Sequence, residues 1–150
     1  SLCHEFDMDS GGAGKYRGGL GVKYSIQFYD DEPFLAIFGD GAVNAPFGLF
    51  GGQPGSVNRL IINEGAKEED RLPAKGMRQL KKGDVYTVYS SGGGGWGNPL
   101  DRSAELVLND VLNGYISLER ARDAYGVVIV DAKVDITSTE ALRNQKRQSK

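Results

Sequence analysis

Residues 90–100 read Ser-Ser-Gly-Gly-Gly-Gly-Trp-Gly-Asn-Pro-Leu, nearly bare backbone between a strand-like run and a helix-like run. Glycine loses more conformational freedom on folding than any other residue and adds no side chain to a core. A chain that keeps 22 glycines in 150 residues therefore needs exposed main chain somewhere. Three uses are open: a tight turn with positive φ, a ligand approaching backbone N–H groups, or another chain segment packing closely.

Glycine spacing alone invites nucleotide-binding readings, and the context argues against each. Gly14-Lys15 suggests a phosphate loop, but Asp9 stands where the first glycine belongs and Tyr16 where Ser or Thr should follow. Gly92, Gly94 and Gly97 satisfy G-x-G-x-x-G, yet Asn98-Pro99-Leu100 intervenes before the helix and no second strand ends in an acidic residue at the required distance. A turn of repeated glycines, with Arg17 reaching back to a carboxylate or carbonyl, is the plainer reading of residues 9–21.

Upstream of the central glycines the pattern is β. Val22, Tyr24, Ile26 and Phe28 alternate with polar residues and predict a half-buried strand, and Phe34-Leu35-Ala36-Ile37-Phe38 is apolar throughout. With turn chemistry at residues 30–33 between them, the two runs predict a β-hairpin. In residues 44–55, Phe47, Leu49 and Phe50 sit among turn residues and are expected to anchor the loop in a core or on a neighbouring chain. Short β-runs follow at 56–63 and 85–89, separated by a charged surface excursion at 64–75.

Downstream the pattern is mainly helical. Asp101 or Ser103 can cap a helix to about Asn113, with Leu106, Val107, Val111 and Leu112 as its buried stripe and Gly114 as its stop. Ser117 caps a second helix over 118–125, Val127-Val128-Ile129-Val130 is a last strand, and Thr137-Ser138-Thr139-Glu140 is a capping box for a terminal helix. Arg143, Lys146, Arg147 and Lys150 then form its solvated basic end. The expected fold is α+β: a β-rich segment with glycine-rich loops over 1–97, then a helical segment over 98–150 with short helices, one further strand and a terminal helix. The two together make one domain, or a fragment of a larger subunit.

Paired helices also describe a helix-turn-helix, but Glu119 and Asp123 offset Arg120 and Arg122, and the net charge is −2. Neither nucleic acid nor a membrane is an expected partner, and no apolar run is long enough to span a bilayer. Cys3 is the one cysteine and His4 the one histidine, too few for a four-ligand zinc site, so no metal site is expected in this segment. A reducing cytoplasm is the expected compartment. The chain opens on Ser1 without a leader pattern and reads as a fragment or processed product.

The motifs together carry a resemblance. Residues 9–21, the run Phe47-Gly48-Leu49-Phe50-Gly51-Gly52-Gln53-Pro54-Gly55, the run from Gly92 to Arg102, and Asp110-Val111 to Gly114 with Tyr125-Gly126-Val127-Val128 resemble, in that order, the C-terminal part of the hydantoinase B/oxoprolinase family. The resemblance implies a C-terminal piece of a B-type subunit, or a small subunit equivalent to it. It implies an ATP-dependent amidohydrolase acting on cyclic amides such as hydantoins and pyroglutamate, with acetone- and acetophenone-type carboxylases as the alternative. A non-catalytic structural or interaction module is the other class in play. In such enzymes phosphorylation of a substrate oxygen makes an unreactive amide or enolisable ketone competent.

The implied partners are the remainder of the B-type subunit, an A-type nucleotide-binding subunit and a small-molecule substrate. ATP with Mg, with another divalent metal as an option, is expected elsewhere in the complex and not in this segment. No catalytic residue is assigned. The groups expected to reach substrate or phosphate, if any here do, are the backbone of Gly92, Gly93, Gly94 and Gly95, followed by Asp9, Ser10 and Arg17.

Overall fold

The structure, a computed structural model, describes residues 1–149. In chain order its strands are β1 (Cys3–Phe6), β2 (Val22–Gln27), β3 (Phe34–Phe38), β4 (Arg59–Ile62), β5 (Asp70–Arg71), β6 (Lys75–Gln79), β7 (Val85–Tyr89), β8 (Ile129–Val130) and β9 (Lys133–Val134). Its helices are a 3-10 turn at Pro99–Asp101, then α1 (Ala104–Leu112), α2 (Leu118–Asp123) and α3 (Ile136–Gln148). The expected α+β class, β-rich first and helical last, is what the chain adopts.

An antiparallel sheet in the order β1-β2-β7-β4-β5 forms the first layer. The expected hairpin between β2 and β3 does not form. Both edges of β2 are already filled, by β1 on one side and β7 on the other, and the β7 pairing continues past the strand end where Phe28 N–H donates to the Asp84 carbonyl. β3 therefore leaves the sheet and pairs with β6, with Ala36 opposite Met77. This ribbon covers the large sheet through Ile37, Leu72, Leu80 and Ile62, with Phe28, Leu35, Leu60 and Tyr86 around them.

The alternation predicted for β2 is also reversed at its centre. Ser25 is buried and its hydroxyl bonds the Thr87 hydroxyl at 2.9 Å, whereas Tyr24 faces outward against the His4 ring. A satisfied hydroxyl pair is tolerated inside a sheet, so polarity alone misreads which face is covered.

A second core lies under the helices, built from Ala13, Val107, Ile116, Ala121, Tyr125 and Val127. Only part of the predicted α1 stripe enters it. Leu106 and Leu112 are exposed, while Asp110 turns inward. Ser117 caps α2 as expected, accepting from Arg120 N–H at 3.0 Å. For α3 the cap is Asp135, which accepts from Ser138 N–H at 3.0 Å, so the helix begins before the predicted capping box. Thr139 of that box is buried instead, accepting from Val128 N–H.

The basic end of α3 is not simply solvated. Arg143 donates to the carbonyls of Tyr125 and Arg102, and Arg147 to that of Leu100. Lys150 lies outside the described residues. No helix among the described residues is long and apolar enough to cross a membrane.

Candidate functional site: a glycine bundle with an aromatic end

The central glycines run as an extended segment without regular strand or helix pairing, surrounded by four others drawn from residues 10–21 and 46–56. A Cβ added at Gly92 would overlap the carbonyl of Ser10, and one at Gly95 that of Ala13, three residues further along both segments. In the opposite sense, a Cβ at Gly55 would overlap Gly92 and one at Gly52 would overlap Gly95. Two further neighbours complete the ring. Gly93 N–H donates to Gly19 and Trp96 N–H to Tyr16 on an antiparallel segment, while Leu49 N–H donates to Gly95 and Gly97 N–H to Leu49 on a parallel one.

A contact repeat of three residues, with hydrogen bonds running between segments rather than within them, is the polyproline II arrangement. Glycine at the crowded positions follows the rule that governs the axis of collagen. The third open use of the glycines, close packing of chain against chain, is the one this geometry displays. Positive φ accounts for others, such as Gly97 at 75° and Gly126 at 63°.

Backbone donors of the central segment are engaged within the protein except at Gly94, whose N–H has no partner among the described residues. Gly92 N–H donates to the Ser56 hydroxyl at 3.0 Å, Gly93 N–H to the Gly19 carbonyl at 2.8 Å and Gly95 N–H to the Gln53 carbonyl at 2.9 Å. Asp9, at φ 65°, accepts from Ser117 N–H at 2.8 Å, so it ties the bundle to the start of α2. Ser10 is buried; its hydroxyl donates to the Asp7 carbonyl and accepts from Gly21 N–H. Arg17 donates from Nε to Asp110 at 3.3 Å and from its terminal nitrogen to the Gly18 carbonyl at 2.8 Å, with its guanidinium over the Tyr115 ring. The structure thus brings Ser10 and the four glycines into one bundle, and sets Asp9 and Arg17 at its junction with the helices.

That junction contains residues that the sequence alone does not single out. Arg102 donates to Asp110 at 2.9 Å, on the same carboxylate oxygen as Arg17, and also to the Lys15 carbonyl. In the sequence Asp110 stands out only as part of a motif; its inward turn on an otherwise amphipathic helix leaves no periodic signal. The phenol of Tyr125 is wholly buried, and burial raises its pKa.

At its far end the bundle shows an aromatic face. Trp96 meets Tyr16 at 5.5 Å and Phe50 at 5.4 Å between ring centroids, and Leu49 bridges to Trp96 along the main chain. Phe47, Leu49 and Phe50 do not enter a core of the described residues: their exposures are 75%, 49% and 76%. The anchoring expected of them in a core is not made within the described residues. Among the described residues, no group of three or more His, Cys, Asp or Glu is placed to hold a metal ion.

The family pattern for hydantoinase B/oxoprolinase matches residues 2–99 of the chain. The chain belongs to the hydantoinase B/oxoprolinase family. Within it, the chain is 39% identical over 140 residues to the B-type subunit of a putative D-/L-hydantoinase of Pseudomonas sp. (strain NS671), covering 91% of this chain and 23% of that protein. Its fold is similar to a nucleotide-free structure of acetone carboxylase, studied for ATP-dependent acetone carboxylation, with TM-score 0.84, 26% identity and coverage of 99% of this chain and 24% of that one. It is also similar to the ATP-dependent caprolactamase of Pseudomonas jessenii, with TM-score 0.81, 26% identity and coverage of 95% and 26%. The chain therefore spans about a quarter of the length of the relatives it matches.

Proposed function

We propose that the chain is the C-terminal part of a B-type subunit, or an equivalent small subunit, of a cytoplasmic ATP-dependent amidohydrolase acting on cyclic amides. The observation that carries this reading is the likeness to the ATP-dependent caprolactamase over 95% of the chain. An ATP-dependent carboxylase of acetone or acetophenone type is the second reading, favoured by the comparable likeness to acetone carboxylase over 99% of the chain.

The chain's own part in either reaction is to hold a rigid wall. ATP supplies phosphoryl activation of the substrate when bound elsewhere in the complex. The engaged N–H groups of Gly92, Gly93 and Gly95 do not fit a phosphate cradle. These glycines with Gly94, Asp9, Ser10 and Arg17 act by fixing the bundle and its junction with the helices. The segments 1–97 and 98–150 work as one unit through that junction. The aromatic face of Tyr16, Leu49, Phe50 and Trp96 is the seam to the rest of the B-type subunit and its A-type partner; support comes from its being a contiguous exposed apolar patch on a rigid support.

Purification of the full-length protein with its partners, followed by ATP consumption assays, tests the proposal. Consumption with hydantoin, 5-oxoproline or caprolactam, matched by ring opening, is expected. Consumption only with a ketone and bicarbonate selects the carboxylase reading, and consumption with neither class overturns both. For the seam, Phe50→Asn keeps a residue that tolerates the positive φ of 52°. It is expected to leave the melting midpoint of the chain unchanged and to weaken co-purification of the partners; intact assembly would remove the seam from the proposal.

A further inference from the structure

The large sheet has a polar face, and a cavity opens on it whose lining shares no residue with the glycine bundle. The strand register sets Ser25 opposite Thr87 and Lys23 opposite Tyr89 on one face of β2 and β7. Ser25 and Thr87 are 5% and 2% exposed, and their hydroxyls lie 2.9 Å apart. Two hydroxyls carry two protons and their mutual bond uses one, so the second has no acceptor among the described residues. Both side chains line a cavity of about 340 Å³.

One water satisfies that proton but takes up only about 30 Å³, and the walls offer more. Lys23 Nζ and a Glu64 carboxylate oxygen stand 3.4 Å apart, the two side chains 29% and 33% exposed, so the mouth is open to a solute and carries one charge of each sign. Leu2, Ala66 and Val85 supply apolar wall. The acidic side is fixed in place: the Tyr89 hydroxyl donates to both Glu64 oxygens at 2.8 Å, and the Asn63 amide before it donates to Asp84 and accepts from Val85 N–H, each at 2.9 Å. Lys23 keeps an N–H beyond those directed at Glu64 and Tyr89, and the Glu64 carboxylate keeps a lone pair.

A carboxylate satisfies both the free hydroxyl proton and Lys23, and an ammonium satisfies Glu64. Because Lys23 and Glu64 are only 3.4 Å apart, the ligand's own two charges must be as close, which selects an α-amino acid over one whose charges sit at opposite ends of a chain. We propose that Lys23, Ser25, Glu64 and Thr87 form a binding site for a small α-amino acid with an apolar side chain. The site is independent of which reaction the assembled enzyme performs. The test uses the full-length protein, titrated by calorimetry with valine, then with isobutyrate and isobutylamine, which each keep one of its charges, and with 6-aminohexanoate, which spreads them apart. A crystal structure is determined in the presence of valine.

The expected result is saturable binding of valine, at least about tenfold weaker binding of the other three, and density for valine between Lys23 and Glu64. Glu64→Gln and, should that variant fold poorly, Lys23→Met are expected to weaken valine binding by at least about tenfold. Equal affinity for all four probes, no saturable binding, binding unchanged in the variants, or solvent alone in the cavity overturns the proposal.

Discussion

The glycine bundle and the helical segment beside it reach close packing by opposite routes. In the helices, side chains fill the space: Val107, Ile116, Tyr125 and Val127 are almost wholly buried, and truncating any of them leaves a cavity. At the glycine contacts of the bundle, main chain meets main chain, and there is no side chain to remove. A Cβ at Gly18 would overlap the Gly93 carbonyl, and one at Gly94 the Phe47 carbonyl. Backbone cannot step aside as a rotamer can, so addition is the damaging change there. Asp9, Arg17, Arg102 and Arg120 join the two regions by bonds between side chains of one and backbone or carboxylate of the other.

The sharpest way to break the contrast is within the bundle itself. Gly18→Ala and Gly55→Ala, each of which drives a methyl into a backbone carbonyl, are expected to lose about 4 kcal/mol or more, or to prevent folding. Gly19→Ala, whose Cβ would meet nothing within 4 Å, is expected to shift stability by less than about 0.5 kcal/mol. Denaturant titration of the three variants ranks them; equal losses at Gly18 and Gly19 would mean that the bundle is not the crowded element described.

At the junction, Asp110→Ala leaves Arg17 and Arg102 buried without their carboxylate and is expected to lose about 3 kcal/mol or more. A loss confined to a few tenths in the same titration would show that the pair is dispensable. Within the helices, Ser117→Ala removes one cap bond and is expected to lose about 1 kcal/mol.

The smallest effect is a pH dependence. The Asp135 carboxyl is held below its ordinary range, chiefly by the Ser138 backbone N–H and then by the Ser138 hydroxyl. Its contribution is present above the unfolded carboxylate pKa and is lost as pH falls through the lowered folded value. Asp135→Asn is expected to flatten the acid limb of a stability–pH curve slightly, and an unchanged limb would remove the cap from the account.

The same contrast explains what was legible in the sequence. Helices announce themselves through caps and apolar spacing, so Ser117, Gly114 and the extents of α1 and α2 were readable. Strands β2, β3, β4 and β7 are readable one at a time, while β5, β6 and β9 leave no apolar alternation to read; the partners are not readable, because β2–β7 and β3–β6 are set by long-range pairing that no local turn signal encodes. The bundle left only its composition. Its three-residue repeat is spread over three separated stretches, and within residues 92–95 unbroken glycine hides which positions face which neighbour. Asp110 and Tyr125 escaped for a related reason: a buried polar group is recognisable only once its partners are placed.

Amide hydrogen exchange over residues 91–97 of the full-length protein, measured with and without ATP and substrate, tests the central claim most directly. If the central glycines serve as main-chain packing, the bonded N–H groups of Gly92, Gly93 and Gly95 exchange slowly in the free protein and no slower when nucleotide and substrate are added. Fast exchange in the free protein, with protection appearing on addition of ATP or substrate, would contradict that account and make these groups part of a ligand site.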